Sequence, residues 1–99
     1  MKGIEFVNSG IRVVNDRNIV RVPLKSGNKI LLQLNDKTQE IDTLTLSKGK
    51  VINAETFKNH DKTEGAFDEM IAGFVEKLEP LTEKSPFKII SELIHKAVK

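Results

Sequence analysis

Ninety-nine residues, 38% hydrophobic and 30% charged, suit one compact domain that can bury a core without cross-links. The absence of cysteine excludes disulfides, thiol nucleophiles, cysteine zinc sites and iron–sulfur ligation by inventory alone. A formal charge of +2, from 16 basic and 14 acidic side chains, is too balanced to imply nucleic acid or anionic lipid by itself.

The opening stretch MKGIEFVNSG meets Glu5 and Asn8 before any apolar run long enough for a signal-peptide core. No run approaches the roughly 20 apolar residues of a membrane span, so a cytoplasmic location without membrane contact is expected. The charge is unevenly spread, with +4 over residues 1–63 and −2 over residues 64–99. Thirteen of the 16 basic residues are lysine, and isoleucine and asparagine are plentiful, a pattern that AT-rich coding sequence produces without physical selection.

From Ile4 to Ile52 short apolar runs alternate with turn-forming clusters, the period-two signature of strands with one buried face. The expected strands are IEFVN (4–8), IRVVN (11–15), NIVRVPL (18–24), KILLQLN (29–35), IDTLTLS (41–47) and KVINAETF (50–57). Connections this short favour antiparallel neighbours and hence a meander, either a flat sheet or a small open barrel. Parity groups Ile4 and Phe6, Ile11 and Val13, Val20, Val22 and Leu24, Ile30, Leu32 and Leu34, and Leu44 and Leu46 as one wall of the core. Glu5, Arg12, Arg21, Gln33, Thr43 and Thr45 fall on the other face, which is expected to be wet. Pro23 lacks an amide proton, which places the third strand at an edge or an irregularity.

After Phe57 the period changes to that of a helix: Phe67, Met70, Ile71, Phe74, Val75 and Leu78 form one apolar stripe, and Pro80 ends it. A second helix is expected to start at Ser85 and Pro86, a cap followed by a proline whose missing amide is not needed there. On it Phe87, Ile89, Ile90, Leu93, Ile94, Ala97 and Val98 fill an arc of roughly 180°, wider than docking on one surface requires. The fold class is therefore α+β: an N-terminal antiparallel meander or small open barrel of five to six strands, followed by two helices packed on one face. One domain is expected over residues 1–99, with a β-rich half (1–57), a hinge (58–65) and a two-helix half (66–99).

The hinge, KNHDKTEG, is the one stretch that looks like chemistry. Asp61 and Glu64 have the spacing of a capping box, which would start the first helix near Lys62. His60 with these two acids makes a weak metal site on spacing alone. His95 suits the dipole of a helix end, and no serine or further acid completes a triad with either histidine. Glycines are scattered singly, so neither dinucleotide nor P-loop fingerprints occur. No catalytic residue, metal ligand or cofactor is assigned, and an enzyme is not expected.

What remains is binding. The excess apolar arc marks Phe87, Ile90, Leu93, Ile94, Ala97 and Val98 as the surface for a protein partner or a second copy of the chain. The expected function is that of a small non-enzymatic regulatory protein, an adaptor or inhibitor, homodimeric through its last helix. The alternative is a nucleic-acid-binding module that presents Arg12, Arg17, Arg21, Lys25, Lys29, Lys48 and Lys50 to a duplex backbone. Stacking on single strands is disfavoured, because the chain has no Trp or Tyr and its five phenylalanines follow the core pattern. The stretch NIVRVPLKSG (18–27) resembles, over ten residues, part of the swapped-hairpin DNA-binding regulators of the AbrB type, but the short helix that follows in that family is missing and membership is not implied.

Overall fold

In a computed structural model the described residues are 4–7, 10–13, 18–61 and 63–98, the first two segments by their backbone alone. They form strands β1 (Ile4–Val7), β2 (Gly10–Val13), β3 (Val20–Pro23), β4 (Lys29–Asn35), β5 (Glu40–Ser47) and β6 (Lys50–Lys58). Helix α1 (Ala66–Leu78), a 3₁₀ turn (Glu79–Leu81) and helix α2 (Pro86–His95) complete the chain. The class is α+β, with an antiparallel open sheet of four strands in the order β3-β4-β5-β6 followed by two helices.

The sheet has four strands rather than five or six. β1 and β2 pair with each other, Ile4 opposite Val13 and Val7 opposite Gly10, as a separate two-stranded ribbon. Period-two alternation reports that a segment is a strand but not which sheet it joins. Pro23 does lie on an edge strand, because β3 ends the order on one side.

Local turn chemistry fixes the register, and the register reassigns the faces. The Asn35 side-chain oxygen accepts from the amides of Lys37 and Thr38, each at 3.1 Å, and closes the four-residue turn between β4 and β5. Asn35 then stands opposite Glu40, Leu34 opposite Ile41 and Leu32 opposite Thr43. Ile41, Thr43 and Thr45 thus share the helix-covered face with Ile30, Leu32 and Leu34, while Leu44 and Leu46 lie on the other. This corrects the expected wall, in which Leu44 and Leu46 joined the Ile30 face and Thr43 and Thr45 opposed it. Between β5 and β6 the Lys48-Gly49 turn has both residues at positive φ, 52° and 80°, the geometry that a two-residue hairpin needs and glycine supplies freely.

The main core fills the space between helices and sheet: Val20, Val22, Leu32, Leu34 and Ile41 from strands meet Ile71, Val75, Leu78, Ile89, Leu93 and Ala97. The opposite face is wet only in part: Arg21 is exposed there, as expected, but the middle of the face is covered. Leu31 and Leu44 are buried there with Ile19, and beside them lies a buried polar group. Gln33, with 0% of its surface exposed, donates from Nε2 to Asp42 Oδ2 at 2.9 Å, and the Thr56 hydroxyl donates to Asp42 Oδ1 at 2.7 Å.

The two helices run antiparallel, since Asp68 near the start of α1 and Ile94 near the end of α2 line one groove. The chain leaves α2 at His95, earlier than expected, and Val98 forms a parallel bridge with Asn35. Its amide donates to the Leu34 carbonyl at 2.8 Å, and its carbonyl accepts from Asp36 at 3.0 Å, filling the space beside β4 beyond the end of short β3. Among the described residues no helix is long and apolar enough to cross a membrane.

Candidate functional site

The polar hinge is a joint built around Asn59. This residue is buried, donates from Nδ2 to Gln39 Oε1 at 2.8 Å, and accepts on Oδ1 from the Asp61 amide at 3.2 Å. Asp61 does not cap α1: the helix starts at Ala66 with Gly65 at the cap position (φ 81°) and no side-chain cap bond. Asp61 Oδ1 instead accepts from the Thr63 amide at 2.9 Å, and bonding by the backbone and hydroxyl of Thr63 holds its carboxyl below the usual range. His60 and Asp61 are exposed, and no group of three metal-ligating side chains occurs among the described residues. Sequence reasoning fixed on the histidine and the acids and missed Asn59. Its signal was weak, because a loop asparagine and a buried one look alike in a sequence.

The wide arc of α2 divides into two faces. Leu93 (0% exposed) and Ile89 dock on the sheet, and past the helix end Ala97 is buried in the same core while Val98 is half-buried at its bridge. Phe87 (88% exposed) and Ile94 (55%) point outward, with Ile90 half-buried between them. Spaced i, i+3, i+7, these three form a stripe along one flank of α2. Asp68, Ile71, Ala72, Ile90 and Ile94 line the adjoining groove, of 230 Å³. The predicted interface residues therefore do not act together: Leu93 and Ala97 are committed to the core. Charges flank the stripe unevenly, with exposed Asp68, Glu69 and Glu76 on α1 and exposed Lys88 on the outer side of α2.

Of the basic set, Arg21, Lys25, Lys29, Lys48 and Lys50 are exposed. The β3–β4 and β5–β6 turns lie at one end of the sheet, so the antiparallel order gathers Lys25, Lys29, Lys48 and Lys50 there. Arg17 lies outside the described residues, and Arg12 is described only by its backbone pairing with Glu5.

The two edges of the sheet differ. The β3 edge is tied to the connector between the helices: Thr82 Oγ1 donates to the Pro23 carbonyl at 2.6 Å, and Lys84 Nζ donates to the Arg21 carbonyl at 2.8 Å. Lys84 Nζ also pairs with Glu92 Oε2 at 2.9 Å, and the Lys25 amide donates to the Leu81 carbonyl at 2.8 Å. At the other edge, β6 is exposed along its whole length apart from half-buried Ala54. Beside it an apolar groove of 390 Å³ runs between β6 and α1, lined by Ile41, Phe57, Met70, Phe74, Leu78 and Leu81 with Gly73 and Lys77. Phe57 and Phe74 meet there at a ring-centroid distance of 5.4 Å. No family model matches this chain, and no curated protein or solved structure matches it either.

Proposed function

We propose that this chain is a small non-enzymatic binding protein of the cytoplasm that acts by protein–protein contact, as an adaptor or inhibitor, and pairs with a second copy of itself through α2. The observation that carries this reading is the stripe of Phe87, Ile90 and Ile94, in which a phenylalanine is 88% exposed on a helix whose other face is fully used. Charge selects the arrangement. A two-fold axis parallel to the helices lays the Lys88 flank of one copy over the Asp68, Glu69 and Glu76 flank of the other, and the same contact recurs in reverse. A two-fold axis across the helices would set acids against acids. The result is a four-helix layer with the stripe at its centre.

Sedimentation over a concentration series tests the pairing. The natural chain is expected as a dimer, and Ile94→Asp as a monomer with the same helical circular dichroism, because Ile94 contributes little to the chain's own core. A monomeric natural chain, or an Ile94→Asp variant still dimeric, would overturn the reading.

A second reading is supported by the gathering of Lys25, Lys29, Lys48 and Lys50 at one end of the sheet. Four lysines on duplex phosphates give binding that falls about a hundredfold over a fourfold rise in salt. Gel retardation at low salt that is lost on Lys25→Glu with Lys48→Glu would favour it. An unretarded duplex would end it.

A further inference from the structure

We infer that the β6 edge, with its neighbouring groove, takes an extended segment of a different protein, one that is acidic at its ends and carries a large apolar side chain between them. The first ground is the asymmetry of the sheet. Three contacts from the helix connector and the 3₁₀ turn hold down the β3 side, whereas β6 has nine residues, an exposed outer edge and, on the described chain, no strand beyond it. Exposed edges of this length are templates for strand addition.

The second ground is the groove. A strand laid along β6 directs alternate side chains to the helix-covered face, next to Phe57 and under the flank of α1. The groove of 390 Å³ between Phe57, Met70, Phe74 and Leu81 admits one large apolar side chain from such a strand. Main-chain bonds to β6 provide attachment, and the groove provides selectivity.

Charge identifies the occupant. Lys50 and Lys58 end the strand, Lys48 precedes it and Lys77 stands at the groove. Against these four lysines stand three acids: Glu40 faces Lys58 across the β5–β6 pair, Glu55 accepts from Asn53 Nδ2 at 2.8 Å, and Asp42 accepts from the Thr56 hydroxyl at 2.7 Å. The excess is positive. A second copy is disfavoured, since antiparallel pairing centred on Ala54 sets Lys50 of one copy against Lys58 of the other at both ends. Parallel pairing in register sets each lysine against itself. The irregularity between Thr45 and Leu46 in the β5–β6 register, which leaves Ile52 without a partner, further obstructs a symmetric pairing.

The probe is a blocked nine-residue peptide of alternating threonine and apolar residues with aspartate at both ends, and the control has lysine at both ends. Binding is followed by the amide resonances of the full chain. The aspartate peptide is expected to shift amides across residues 50–58 and 70–78 and to bind roughly tenfold more tightly than the lysine peptide, the sum of small exposed charge terms. Lys50→Glu with Lys58→Glu should reverse that preference without loss of fold, since both side chains are exposed. Phe57→Ala should weaken the aspartate peptide severalfold. Equal affinity for the two peptides, shifts confined to α2, or no saturable binding would each overturn the inference. Edge amides that shift on concentrating the chain alone would overturn it in favour of self-pairing.

Discussion

Leu93→Ala is expected to cost about 3 kcal/mol of stability, against a few tenths for Phe87→Ala on the same helix. Leu93 is fully buried between α2 and the sheet, in the cluster that joins Leu32, Leu34 and Ile41 to Val75 and Ile89. Truncation there loses the transfer free energy of the removed carbons, and it also leaves a cavity that close-packed neighbours fill only in part. Phe87 has little to lose, since it is exposed already. Urea unfolding of the two variants under conditions that keep the chain monomeric measures the difference. For a domain of this size the melting temperature of Leu93→Ala should fall by roughly 15 °C. Equal costs at the two positions would mean that α2 docks on a different face, and the stripe assigned to self-pairing would then be the core.

The next largest effect is expected at Asp42. Its carboxylate accepts from Gln33 and from Thr56, on a face where Gln33 has no exposed surface. Asp42→Ala removes the carboxylate that accepts from both Gln33 Nε2 and the Thr56 hydroxyl, at a place where Gln33 is fully buried, which should cost about 2–3 kcal/mol. Asp42→Asn keeps the shape and one acceptor, and should cost roughly half as much. Chemical denaturation of the pair separates lost hydrogen bonding from lost volume. A neutral Asp42→Ala would show that this face opens to water and that the Gln33–Asp42 bond is dispensable. The pair also explains why an alternating strand can have polar side chains on a buried face. Gln33 Nε2 and both Asp42 carboxylate oxygens are bonded within the sheet, so burial orphans none of these three atoms.

Much of the element list was legible because each element is written in local chemistry. KILLQLN is a strand with the bounds the alternation suggests, and Ser85 and Pro86 mark the start of α2 as their backbone preferences require. The face assignment was not legible. It depends on whether the β4–β5 turn has an even or odd number of residues, and Asn35 decides that by bonding the amides of Lys37 and Thr38. One residue more or fewer would have returned Leu44 to the helix side. The start of α1 was misplaced for a related reason. Asp61 and Glu64 have cap spacing, but Asp61 bonds Thr63 within the loop, and the helix waits for Gly65.

The interaction surfaces divide in the same way. An excess of apolar residues on α2 was visible from their angular spread, which follows from 3.6 residues per turn alone. Which of them face outward was not, because that depends on where α1 lies, and two helices can share a sheet in more than one way. Tertiary packing gave Leu93 and Ala97 to the core and left Phe87 and Ile94 outside.

By itself the sequence determined the order and kind of the elements, the absence of cysteine chemistry, and the amount of apolar surface that α2 must place somewhere. Those depend on residue type and on periodicities that a chain carries before it folds. Only the tertiary structure decided which strands share a sheet, which edge is covered, which lysines gather at one end and which face of α2 is left over. Each of these is a relation between residues distant in the chain, and no local preference encodes it.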